Sequence, residues 1–247
     1  MFNFFVDKSK ILNGNVVIDG TDYNHIKNVL RMKENEEFLV SSDGKNHLCK
    51  LVKFENETAI AQIIEQDYMD TSLSIKITLL QGLPKSDKME LIIQKAVELG
   101  ADEIVPVETA RSIVKIEPKK ADAKRQRWQA IAESAAKQSK RTLIPAVVAP
   151  VKFNDAFKMI SDLDLLIVPY ESQRGMADTL SALKEIKRGM RVGVFIGAEG
   201  GFEQTEIERL KGAGAKIVSL GKRILRTETA SITALSMLML YSETMLG

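Results

Sequence analysis

Val192-Gly193-Val194-Phe195-Ile196-Gly197-Ala198-Glu199-Gly200-Gly201-Phe202 is the stretch on which the fold turns. Its first five residues are apolar, of the length and composition of a strand buried on both faces. A turn with three glycines in five positions follows at once, and there the backbone can take positive φ and let a ligand approach the main chain. Beyond it, residues 204–211 read as a helix and 216–220 as the next strand. Upstream, strands are expected at 75–80, 104–107 and 165–169, with helices at 86–99, 126–138 and 180–187. Ser86 is placed to cap the first of these and Gly100 to stop it. A last helix runs from about 228 to 244. This alternation predicts an α/β domain over residues 73–247, with a mostly parallel sheet and helices on both faces.

Residues 1–70 read differently. Short strand-like runs occur at 2–6, 15–18, 37–41, 48–54 and 58–64, with turn signals at Asn13-Gly14 and Asp43-Gly44. One helical piece, about 22–32, interrupts them. The pattern predicts a compact β-barrel as a separate domain.

Composition narrows the class. In 247 residues there is one cysteine, Cys49, so no internal disulfide framework is possible and a reducing cytoplasm is expected. The N-terminus lacks the basic and apolar regions of a signal peptide, and no apolar run is long enough to span a bilayer. His25 and His47 have no ligand partners at metal spacing, so no metal is expected. Net charge is only +2, yet ten basic residues against three acids lie between Arg111 and Arg141. Such a concentration suits either a solvated helix face or a polyanion footprint.

Open α/β sheets bind ligands beyond the carboxyl ends of their strands. Three ends carry unusual residues: Gly197 to Phe202, Gly221 to Ala230, and Pro169-Tyr170-Glu171. None has the spacing of a P-loop or a dinucleotide fingerprint. Taken together, Gly197-Ala198-Glu199-Gly200-Gly201-Phe202 and Leu220-Gly221-Lys222-Arg223-Ile224-Leu225-Arg226-Thr227-Glu228-Thr229-Ala230 strongly resemble the SPOUT methyltransferases. Within that superfamily the chain resembles the 16S ribosomal RNA uridine-N3 methyltransferases. His25-Ile26-Lys27-Asn28-Val29-Leu30-Arg31-Met32, Gln81-Gly82-Leu83-Pro84-Lys85 and Ala135-Ala136-Lys137-Gln138-Ser139 carry the same resemblance along nearly the whole chain. Ala198 departs from it, since that family usually has Pro there, as do Ser134 and Lys140, where Ala and Gly are commoner.

The resemblance implies a PUA-like RNA-binding barrel followed by a SPOUT trefoil-knot methyltransferase domain, acting as a homodimer on ribosomal RNA of the small subunit. It implies S-adenosylmethionine as cofactor, held by Leu80, Pro169, Tyr170, Glu171, Ile196, Gly197, Glu199, Gly200, Leu220, Gly221, Ile224, Leu225 and Thr227. Uridine N3 must lose a proton, so the chemistry asks for orientation, positive charge near O2 and O4, and a proton acceptor. Arg226 is the expected cation, its planar fork suiting two oxygens. Glu199 and Glu228 are the nearest acceptors or orienters, although each can equally be a loop or helix-start carboxylate. RNA contacts are expected from Arg31, Lys85, Arg111, Lys137, Gln138, Ser139 and Arg141. Trp128, at helical spacing with Ile131, reads as core and not as a stacking platform. The rival readings are a related enzyme acting on another RNA atom, and a non-catalytic RNA-binding assembly factor.

Overall fold

A computed structural model describes residues 1–247, which divide into two compact units. The first comprises Met1–Ser72 and Ala136–Ile144, the second Leu73–Ala135 and Pro145–Gly247.

The first unit is built on β1 (Asn3–Phe5), β2 (Ile11–Leu12), β3 (Asn15–Ile18), β4 (Glu37–Ser42), β5 (Lys45–Glu55) and β6 (Thr58–Glu65). They form one sheet in the order β1-β4-β5-β6-β3-β2, antiparallel except for β1 on β4. Three two-residue hairpins join neighbouring strands. The one between β5 and β6 turns at Asn56-Glu57 (φ 46° and 57°), which the sequence reading did not mark, and the other two use the turns read from sequence. Asn13-Gly14 and Asp43-Gly44 all have positive φ (51°, 78°, 51° and 77°), which matches the twist of the strands they join. Phe4, Val16, Ile18, Phe38, Val40, Cys49, Leu51, Ala59 and Ala61, drawn from five strands, meet in a single core. The sheet is therefore a half-barrel closed over one apolar face. The expected helix over 22–32 is instead a short α1 (Gly20–Asn24) running into a π-turn (His25–Val29) that buries Ile26. Arg31 enters the left-handed region (φ 53°) and the Met32 amide reaches back to the Ile26 carbonyl at 3.0 Å, which ends the segment.

Lys140 and Arg141 are bound into this unit through their carbonyls. Asn46 Nδ2 and Thr71 Oγ1 each donate at 3.0 Å to the Lys140 carbonyl, and Asn3 Nδ2 donates at 3.3 Å to that of Arg141.

The second unit holds β7 (Lys76–Gly82), α2 (Lys88–Glu98), β8 (Glu103–Glu108), α3 (Pro118–Ser139, to Ala135), β9 (Ala146–Val147), β10 (Val151–Lys152) and α4 (Phe153–Met159). Next come β11 (Leu165–Pro169), α5 (Ala177–Glu185), β12 (Arg191–Ile196), α6 (Gln204–Gly212), β13 (Lys216–Val218) and α7 (Thr227–Tyr241). The sheet is wholly parallel, in the order β10-β8-β7-β12-β11-β13, with β9 beside β8. The chain builds outward from β7 on one side, then returns to lay β11, β12 and β13 on the other. That reversal makes a switch point, where loops leaving neighbouring strands part and open a crevice.

Leu80, Val105, Val107, Leu166, Val168, Phe195, Phe202, Ile207 and Leu210 form the core of this side of the sheet. Trp128 is 4% exposed, in the core as read. Helix α3 starts at Pro118, well before the expected residue 126. Its first turns are too polar to show periodicity, and Pro118 at the first helical position was the available signal. Ser86 does not cap α2. It lies in the left-handed region (φ 57°), and the start passes to Asp87. The short elements β9, β10 and α4 were not expected from sequence. No helix is long and apolar enough to cross a membrane.

Candidate functional site

A cleft of about 820 Å³ opens beyond the carboxyl ends of β11, β12 and β13. Its walls are residues 169–174 after β11, 196–199 and 201–202 after β12, 219–226 after β13, Lys88 and the start of α7.

The glycine-rich turn forms its floor. Ala198 and Gly201 pair across it, with the Gly201 amide donating to the Ala198 carbonyl at 2.9 Å, and Gly201 takes φ 67°, which a side chain would strain. Gly82 at the end of β7 lets the turn pass close by, since a Cβ there would lie 2.4 Å from the Ala198 nitrogen. A buried polar chain fastens the turn to α7. Ser231 Oγ donates to Gln81 Oε1, Gln81 Nε2 donates to Thr227 Oγ1 at 3.0 Å, and Thr227 Oγ1 donates to the Gly197 carbonyl at 2.7 Å. Gln81 is fully buried and Thr227 nearly so, which makes each of these bonds costly to lose.

From the other side, Arg111 Nη1 donates to the Gly200 carbonyl at 3.0 Å and its Nε to Glu203 at 3.2 Å. Behind it, the buried Glu206 accepts from the Ala110 and Glu203 amides, both at 2.9 Å, closing the capping box of α6. The turn is thus held on both flanks before any ligand arrives.

Glu199 carries the densest polar contacts. Its carboxylate accepts from the Lys85 amide at 3.0 Å and from Lys88 Nζ at 3.1 Å, and Lys88 Nζ also lies 3.4 Å from Glu228 Oε2. Burial pushes the Glu199 carboxyl up, but the Lys85 amide, its own amide and the Lys88 ammonium together outweigh that and hold it below the ordinary carboxylate range. The bond to Glu199, reinforced by Glu228, raises the Lys88 ammonium. Glu199 therefore stays ionised with its lone pairs occupied. That suits an orienting group better than a base, whose pKa should lie near the working pH.

The cleft gathers Pro169, Tyr170, Glu171, Ile196, Gly197, Glu199, Leu220, Gly221, Ile224, Leu225, Arg226 and Thr227 from the sequence-predicted set. Leu80 lies in the core beneath the cleft, Gly200 turns towards Arg111, and Glu228 stands behind Lys88, outside the lining. Arg226 is exposed at the position preceding α7. Of the residues expected to meet RNA, Lys85 and Arg111 are exposed in this unit. Arg31, Lys137, Gln138, Ser139 and Arg141 belong to the first unit, where Lys137 pairs with Asp22 at 2.9 Å and Arg141 is 6% exposed. Sequence reading missed Gln81, Ser231 and Lys88 as parts of the site. Lys88 did leave a trace: a cation in the first turn of a helix opposes the helix dipole and asks for an anionic partner.

Comparison with known proteins agrees with this geometry. The RNA methyltransferase domain family matches residues 71–239, and the PUA domain of RNA methyltransferases matches residues 18–64. The chain belongs to the RNA methyltransferase family. It is 38% identical over 93% of its length to the ribosomal RNA small subunit methyltransferase E of Bacillus subtilis, 91% of which is covered. It is 30% identical to the Mesomycoplasma hyopneumoniae protein of the same name, over 96% of this chain and 98% of that one. Among solved structures, the Neisseria gonorrhoeae ribosomal RNA small subunit methyltransferase E bound to S-adenosyl methionine superposes with a TM-score of 0.81 at 32% identity, over 97% of each chain.

Proposed function

We propose that this chain transfers a methyl group from S-adenosylmethionine to N3 of a uridine in small-subunit ribosomal RNA. The observation that carries this reading is the preformed cleft, whose floor is the glycine-rich turn held by Thr227, Arg111 and Lys88.

The cleft suits that cofactor. Its volume lies within the ordinary range for small-molecule sites, its walls are apolar at Ile196, Leu220 and Leu225, and two loops present main-chain groups to it. Ile196, Gly197, Leu220, Gly221, Ile224 and Leu225 would hold it. When bound, it supplies a methyl group on a positively charged sulfur. The chain's own residues do the rest. The exposed Arg226 guanidinium stabilises negative charge on O2 and O4 of the uracil ring as the N3 proton passes to solvent at the open cleft. Glu199 and Glu228 act through Lys88 to fix the glycine-rich turn against α7. The target base leaves its stack to enter the cleft.

The division into an RNA-binding part, 1–70, and a catalytic part, 73–247, is part of the same proposal. Arg31 and Lys85 are exposed cations outside every ion pair and suit phosphate contact. A homodimer is supported by the far end of the last helix. Leu235 and Leu238 are core, whereas Leu240 and Met245 are 59% and 67% exposed. A trefoil knot in the second unit, which the resemblance implies, belongs to the same proposal. Lack of a long apolar helix suits a cytoplasmic enzyme.

The test is calorimetric titration with S-adenosylmethionine, then incubation with methyl-labelled cofactor and small subunits lacking the modification, with the labelled nucleoside identified by mass spectrometry. Label on uridine N3 is expected. Label on another atom overturns the acceptor, and absence of cofactor binding by folded protein overturns the enzyme.

A further inference from the structure

The two walls of the cleft differ in charge. On the β12 side, Lys88 neutralises part of the Glu199 and Glu228 charge. The loops after β11 and β13 bring Arg174, Lys222, Arg223 and Arg226 to the lining, with Glu171 as the one acid among them. All four residues are exposed, and none of their charged side-chain groups has an ion-pair or hydrogen-bond partner. Elsewhere in this unit Arg111, Arg127 and Lys216 each have a carboxylate partner.

Strand order brings these four together. β11 and β13 are neighbouring parallel strands, with Val168 opposite Ile217 and the Tyr170 amide bonded to the Val218 carbonyl at 3.0 Å. The loops that follow therefore leave the sheet side by side. Their roots are fixed: Thr179 Oγ1 donates to the Ser219 carbonyl at 2.7 Å, the Gly221 amide donates to Ser219 Oγ at 3.2 Å, and the Gln173 amide donates to the Tyr170 carbonyl at 3.0 Å. Anchored loops that hold four mutually repelling cations over one cleft are organised for an anion that comes from outside. Ile224, 84% exposed between Arg223 and Arg226, adds an apolar surface among the charges. A nucleotide offers both an anionic phosphate and an apolar ring face, which a simple anion does not.

We infer that Arg174, Lys222 and Arg223 form a phosphodiester site on the rim of the cleft, which holds the RNA backbone next to the nucleotide being methylated. The inference rests on the RNA methyl-transfer reading and gives the second unit a grip on RNA of its own. Lysine and arginine contacts of this kind position the strand without reading its sequence. The neighbouring Arg226 is left for the base.

The test uses the full-length protein with Arg174, Lys222 and Arg223 all changed to Gln, and Arg226 intact. The probe is an unmodified small-subunit RNA transcript, its binding measured by filter retention across a salt series, with no turnover required. S-adenosylmethionine affinity is measured in parallel by calorimetry. RNA affinity is expected to fall at least tenfold at low salt, and the slope of log K against log salt to shrink by about two to three. Cofactor affinity is expected to stay within about twofold, which also reports that the cleft is folded. An unchanged RNA slope with weakened cofactor binding overturns the inference and assigns the cations to the cofactor's carboxylate. Unchanged binding of both overturns it outright. Because RNA binding is read directly, failure of methylation and failure of this site are separately visible.

Discussion

The Thr227 hydroxyl donates a 2.7 Å hydrogen bond to the carbonyl of Gly197, joining the first residue of α7 to the turn after β12. Both groups are buried, so the bond exchanges with no water. Thr227→Val keeps the shape but leaves the Gly197 carbonyl unpaired and the Gln81 amide short of one acceptor, a cost of about 1–3 kcal/mol. The melting temperature should drop by several degrees and cofactor affinity should weaken, whereas Thr227→Ser should behave as wild type. A valine variant that melts and binds like the parent would remove this bond from the account.

Lys88 should show a pH signature. Glu199 has its folded-state pKa depressed, so its contribution to stability is complete above the ordinary carboxylate value and is lost as pH falls through the depressed one. The Lys88 ammonium, raised by the same contact, loses its contribution only in strong alkali. Lys88→Met should therefore lower the melting temperature most near neutrality. The gap to wild type should start to close as pH falls past the ordinary carboxylate value and vanish once pH lies below the depressed value of Glu199. A gap that is constant with pH would reduce Lys88 to a packing role.

Arg226→Ala should slow methyl transfer by about 10²–10³, the usual loss when one donor to a developing anion is removed. Single-turnover rates at saturating cofactor measure this, and cofactor affinity should barely change. Arg226→Lys should recover only part, because one ammonium cannot face two oxygens as a guanidinium does. Full activity in the alanine variant would assign the charge elsewhere.

Gly82→Ala tests the close approach beneath the cleft. The new Cβ would lie 2.4 Å from the Ala198 nitrogen, a backbone atom, so the glycine-rich turn must move. Overpacking of this kind costs about 1–3 kcal/mol. Cofactor affinity should fall together with stability, measured by calorimetry and thermal melting. Normal binding would mean that the cleft tolerates a displaced floor.

Cys49 should be inert in the native protein. It is fully buried in the first unit, and burial pushes its thiol up to about 12. At neutral pH almost no thiolate exists to attack a reagent. A chromogenic disulfide should react with it only at the rate of unfolding, and fast labelling of folded protein would contradict the burial.

Much of the second unit was legible in residues 192–202, because a strand buried on both faces announces itself as a continuous apolar run and the glycines mark its end. Trp128 was placed correctly by its spacing alone. The start of α3 was not, because residues 118–125 lack an apolar stripe, and helices are easiest to read where one face is buried. Ser86 misled for a similar reason. Its side chain suits a helix cap, yet its left-handed backbone is set by the path of the chain between β7 and α2. At the site, Glu199, Arg226 and the glycines were visible as residues, but Lys88, Gln81 and Ser231 were not.

By itself the sequence determined the alternation of strands and helices, the glycine-rich turn after β12, two of the three turn-closed hairpins, and the resemblance that named cofactor and reaction. These follow from local patterning and from motifs that each occupy a few consecutive residues. Tertiary structure alone decided that Glu199 is neutralised by Lys88, that Arg111 braces Gly200, and that Thr227 holds Gly197. It also decided that Arg174 lines the same cleft as Lys222 and Arg223. Each of these pairs joins segments far apart in the chain. What brings them together is the order of parallel strands in the sheet, set by burial of the whole core and not by any short run of residues.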